Sequence, residues 1–132
     1  MKKNAGVGAR YLLGVILTIF GLNGFFNFLP PMPMSAEAGQ FMGALAGTGY
    51  FLPFIKTVEV VCGILLLSGR FVPLVATILA PHVIHILLFH MFLAPSGLPV
   101  GVLLVALDLI VALSYWKSYE GVLQPNAKMI WK

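Results

Sequence analysis

Residues 51–90 read FLPFIKTVEVVCGILLLSGRFVPLVATILAPHVIHILLFH. Two apolar runs, each of the roughly 20 residues that a helix needs to cross a hydrocarbon core, flank the turn Ser68-Gly69-Arg70-Phe71. So short a connection makes the two helices antiparallel neighbours. Upstream, residues 10–29 form another such run, ending in Leu29-Pro30-Pro31-Met32-Pro33. Downstream, a fourth spans 98–117 after the turn Ala94-Pro95-Ser96-Gly97. The reading is all-α: an antiparallel four-transmembrane-helix bundle with helices at about 10–29, 50–68, 72–93 and 98–117, in a single transmembrane domain.

Composition agrees with this architecture. The chain of 132 residues is 60% hydrophobic and 9% charged, and its mean hydropathy of +1.00 is far above that of a soluble domain. Loops and termini of roughly 20 residues or fewer are too short for a nucleotide- or flavin-binding domain, which takes about 50. Soluble redox or ATP-driven chemistry therefore needs a partner subunit, and the partners expected are membrane lipid and either such a subunit or further copies of the chain in a homo-oligomer. The one cysteine, Cys62, lies within an apolar run, which excludes an internal disulfide and a C-x-x-C dithiol. The run after Met1-Lys2-Lys3 is read as a retained span and not as a cleaved leader, because it has full spanning length and no small-x-small site.

The net charge of +4 reports topology and not nucleic acid. Of the eight Lys and Arg residues, all but Lys56 fall on one side if the spans alternate: Lys2, Lys3, Arg10, Arg70, Lys117, Lys128 and Lys132. The positive-inside rule places that side, with both termini and the Gly69-Arg70 turn, in the cytoplasm. On the other side, residues 30–49 form the longest connection. There Ser35-Ala36-Glu37 can cap a short interfacial helix whose Phe41, Met42 and Leu45 lie on the membrane surface as a lid. Pro53 and Pro73 fit first helical turns, whereas Pro81 falls in mid-span beside His82 and predicts a kink.

Polar side chains are expensive in lipid, so Asn23, Asn27, Lys56, Glu59, His82, His85, His90 and Asp108 are the functional candidates. Counting ~1.5 Å per residue from the outer boundary puts Asn27 and His90 at ~3 to 5 Å, Asn23 and Lys56 at ~9 Å, and His85, Glu59, His82 and Asp108 at ~12 to 15 Å. Asn23 with Asn27, Lys56 with Glu59, and His82 with His85 are spaced three or four apart, so each pair shares a helix face. Faces turned inward would line one polar cavity in the outer half. Lys56 and Glu59 form either a self-neutralising ion pair or a poised acceptor and anchor. Asp108 is either protonated or paired across the bundle with a histidine or Lys56. The histidines either bond backbone carbonyls or face a ligand, and the asparagines either join helices or line the cavity.

No metal site is expected, since no H-E-x-x-H or comparable spacing occurs. Met32, Met34 and Met42 could hold Cu(I) or pack a lid, and the lid is the commoner use of methionine. Bis-histidine haem is disfavoured because one helix supplies every histidine.

At Gly21-Leu22-Asn23-Gly24-Phe25-Phe26-Asn27-Phe28-Leu29-Pro30, Thr48-Gly49-Tyr50-Phe51-Leu52-Pro53 and Lys56-x-x-Glu59-Val60-x-x-Gly63-x-Leu65-Leu66-Leu67-x-Gly69-Arg70-Phe71-x-Pro73, the chain resembles the DoxX family. Such proteins are small, four-helix and of the bacterial inner membrane. The family's name comes from a subunit linked to thiosulfate:quinone oxidoreduction, and some relatives associate with membrane redox complexes. The resemblance marks Glu59, Gly63 and the Asn23 region as family-patterned positions; where members often carry a lysine, this chain has Gly24.

These lines converge on a multi-pass subunit of a redox-linked membrane complex. Its outer-half cavity would bind a quinone or small lipophilic ligand at Asn23, Asn27, Lys56, His82 and His90, with Glu59, Asp108 and His85 transferring protons. No tightly bound cofactor is expected. The competing expectations are a non-enzymatic subunit that assembles or stabilises a larger complex, and an oligomeric small-solute or proton transporter. The second lacks polar residues in the inner half.

Overall fold

The computed structural model describes residues 2–131, and all regular structure among them is helical. Helix α1 is Lys3–Phe26, α2 Ala36–Gly47, α3 Phe51–Ser68, α4 Val72–Phe92 and α5 Leu98–Ser114. Four segments are long and apolar enough to cross a membrane: Lys3–Phe26, Phe51–Ser68, Val72–Phe92 and Pro95–Ser114. The short α2 lies between the first and the second of them. Lys132, one of the seven boundary cations, lies outside the described residues.

The first helix begins two turns earlier than residue 10 and stops before residue 29. Asn4-Ala5-Gly6-Val7-Gly8-Ala9 has little helical propensity of its own, but Gly6 packs against Ser114 and Ala9 is buried, so tertiary contact carries the helix to Lys3. At the other end Asn27 takes the left-handed conformation at φ 50°, which asparagine tolerates. Asn23 secures that end twice: its carbonyl accepts the Asn27 N–H at 2.8 Å, and its side-chain oxygen accepts the Leu29 N–H at 2.7 Å. The last helix likewise ends at Ser114 and not at 117. A 3-10 turn over Trp116–Tyr119 follows, held to the start of α4 by the Tyr119 hydroxyl donating to the Pro73 carbonyl at 2.8 Å.

α1 packs most closely on α3, α4 on α5, and α1 also on α5, whereas α3 and α4 touch only sparsely although a short turn joins them. The α1–α3 seam is close because it is built on small residues. A Cβ at Gly63 would meet Thr18 N at 2.8 Å and the Gly14 carbonyl at 2.9 Å, so neither backbone could approach as it does. The α3–α4 turn closes with Arg70 N–H on the Leu65 carbonyl and Gly69 N–H on that of Leu66, with Gly69 left-handed at φ 71°. Arg10 reaches across from α1 beneath Gly69, and its Nη1 donates to the Leu66 carbonyl at 2.9 Å, a cation on the last carbonyls of α3.

The core includes Leu13, Leu17, Leu66, Val72, Val75, Leu79, Val83, Leu104 and Val111, contributed by all four long helices. Outward positions such as Ile19, Ile64, Ile78 and Leu109 are exposed and equally apolar, as lipid contact requires. Helix α4 runs unbroken through Pro81, which lacks the N–H that the Thr77 carbonyl would otherwise receive.

Candidate functional site

Where α3 and α4 part, at the end of the bundle that carries α2, a cavity of about 280 Å³ opens. Its walls are apolar: Ile16, Leu17 and Phe20 of α1, Leu52 and Ile55 of α3, Ile86 and Phe89 of α4, and Val100 and Leu104 of α5. Helix α2 covers it with Phe41, Met42 and Leu45, the residues predicted for the lid, and Met32 also lines it. The Ser35 hydroxyl fixes the lid by accepting the Ala38 N–H at 3.2 Å and donating to the Leu93 carbonyl at the end of α4, at 2.9 Å. Phe41 stands edge-on to the His85 ring at 6.0 Å and 5.8 Å from that of Phe89.

The polar groups of the cavity centre on Glu59, which is only 4% exposed. One turn earlier on α3, Lys56 Nζ donates to Glu59 Oε2 at 3.0 Å. From α4, His82 Nε2 lies 2.9 Å from Glu59 Oε1 and bridges the sparse α3–α4 seam. With Glu59 as the acceptor, His82 donates from Nε2, and each carboxylate oxygen holds one donor. Two glycines of α1 make room for it: Gly21 faces the Glu59 Cβ, and the Lys56 stem lies across Gly24. Gly24 is thus bare and covered by a lysine from the neighbouring helix.

Lys56, Glu59, His82, His85 and His90 all line this one cavity. His85, one turn beyond His82, has no hydrogen bond among the described residues, which leaves its ring nitrogens for a ligand. His90 Nδ1 donates to the Ala94 carbonyl at 3.1 Å, and the ring packs on Gly97. That bond caps the end of α4 and leaves Nε2 without a hydrogen bond among the described residues.

Three of the sequence candidates stand elsewhere. Asn23 and Asn27 shape the end of α1, with Asn27 exposed, and neither lines the cavity. Asp108 is 5% exposed but faces a separate groove between α4 and α5, so the single cavity expected for all the polar residues is divided into two places. The walls from α1 and α5 were not legible in the sequence, because cavity-facing Ile16 and Val100 are as apolar as lipid-facing Ile19 and Val102.

The family pattern described as DoxX matches residues 7–94, which include every polar residue of the cavity and leave out α5. No curated protein and no solved structure matches the chain.

Proposed function

The chain belongs to the DoxX family, and on that premise we propose that it is a membrane subunit of a redox-linked complex whose α2-covered cavity binds a quinone or a small lipophilic carrier like it. The observation that carries this reading is the cavity's division of labour: apolar walls from every long helix, and donors and imidazoles gathered on α3 and α4. Its volume of about 280 Å³ suits a single ring with its substituents, with a longer tail running out into lipid. A quinone carbonyl accepts hydrogen bonds, and Lys56 and His85 are the groups placed to donate them. Glu59 and His82 hold Lys56 in place and can pass a proton to a reduced ring. Electrons come from a partner protein, which the basic end of the bundle would meet in the cytoplasm, with α2 on the opposite face of the inner membrane.

Titration of a short-tailed benzoquinone into the purified protein tests the reading. Saturable binding is expected, weakened about tenfold or more by Leu45→Trp, which fills the cavity, and by His85→Ala, which removes a free imidazole. Binding that does not saturate, or that Leu45→Trp leaves unchanged, rules the reading out.

A second reading, an assembly or stabilising subunit, draws on the mutual satisfaction of Lys56, Glu59 and His82, which fasten α3 to α4 without any ligand. It predicts that Glu59→Gln lowers the amount of protein in the membrane while quinone affinity per molecule is unaltered.

A further inference from the structure

The groove between α4 and α5 that holds Asp108 has no part in the reading above. It encloses about 370 Å³, within the range of about 300 to 1,000 Å³ usual for small-molecule sites. Asp108 Oδ1 is buried there with no hydrogen-bond partner among the described residues. Neither Lys, Arg nor His is among the described residues that line it, so the carboxyl has no counter-charge in apolar surroundings, a costly arrangement.

The other side-chain oxygens of the groove are those of Thr77 and Tyr119. Both donate to one acceptor, the Pro73 carbonyl, Thr77 Oγ1 at 2.9 Å and Tyr119 Oη at 2.8 Å. With those protons engaged, each hydroxyl offers the groove only lone pairs. Burial pushes the Tyr119 phenol above its ordinary pKa, which keeps that proton in place. Three side chains therefore present acceptors, while the side-chain N–H lining the groove is the indole of Trp116, on an exposed ring. Trp116 and Tyr119 also bring aromatic rings to the groove, and an aromatic face attracts a cation.

We infer that this groove is a second ligand site, which takes a primary ammonium group carried on an apolar tail, with Asp108 as counter-ion and Thr77 and Tyr119 as further acceptors. An ammonium has three N–H donors and no acceptor, the complement of three acceptor side chains. An alcohol brings a single donor, and a quaternary ammonium brings none. A free alkylamine and a phosphatidylethanolamine headgroup share this chemistry.

The test is equilibrium binding of octylamine, octanol and octyltrimethylammonium to the full chain in phosphatidylcholine nanodiscs, with protein-free nanodiscs subtracted. Octylamine is expected to bind about tenfold or more tightly than the other two, and Asp108→Asn is expected to erase that preference. Ala112→Leu, which fills the groove and leaves the carboxyl in place, should reduce octylamine binding by a similar factor. It also guards against a misfolded Asp108→Asn. Equal binding of the three probes, or octylamine binding that survives both substitutions, overturns the inference. Repeating the titration in phosphatidylethanolamine nanodiscs identifies the source: weaker apparent octylamine binding there marks the lipid as an occupant, and unchanged binding marks a free amine.

Discussion

Glu59 is the most constrained side chain of the bundle, buried and bonded on one oxygen by Lys56 and on the other by His82. Removing the carboxylate leaves the Lys56 ammonium without its counter-charge and the His82 Nε2 without its acceptor. Glu59→Leu should therefore destabilise the fold by about 3 to 5 kcal/mol, measured by denaturation in mixed micelles. Lys56→Met combined with Glu59→Leu should lose less than the two single changes added together, because no uncompensated charge remains. Much of this was visible in the sequence, since the spacing of Lys56 and Glu59 and of His82 and His85 put each pair on one face. The roles of the asparagines were not visible. Asn23 and Asn27 sit where a helix stops, and a stop depends on the left-handed backbone at Asn27, which no spacing rule reveals. Asp108 has the depth of the cavity residues but faces another direction, because depth fixes a position along a helix axis and not an azimuth about it.

Among the elements, α1 and α3 owe their close approach to Gly14 and Gly63, and a new Cβ at Gly63 would meet, besides the Thr18 hydroxyl, the Thr18 nitrogen and the Gly14 carbonyl, backbone atoms that no rotamer change moves. Gly63→Ala should destabilise by about 1 to 3 kcal/mol through overpacking. Gly43→Ala on α2 has open space around it and should add about 0.5 to 1 kcal/mol. A thermal scan of the two variants against the parent checks both signs. For the lid, Ser35→Ala removes the N-cap and the tie to Leu93, a loss of about 1 kcal/mol, which hydrogen exchange should report as roughly fivefold faster opening of α2 amides. The four spans and the capped lid were legible because apolar run length, prolines and Ser35 mark them. Their ends were less so, since Gly6 against Ser114 and Tyr119 on Pro73 are contacts between residues distant in sequence.

For the whole molecule, the sparse α3–α4 seam matters most. The tight turn makes α3 and α4 antiparallel neighbours, as the sequence implies, yet α1 and α5 take most of the contact and leave a cavity beneath α2. No sequence pattern predicts such a gap, because in lipid the cavity wall and the outer face carry the same residues. The distribution of basic residues predicts that reporters fused to either end, or placed at Arg70, respond as cytoplasmic, and that reporters at residues 40 or 96 respond as external. Whether the cavity holds a lipophilic redox carrier is decided by native mass spectrometry of the protein extracted from its own membranes in mild detergent. A bound quinone is expected in the parent, and its loss in Leu45→Trp. A parent chain that carries no quinone, and takes up none when incubated with excess, would contradict it.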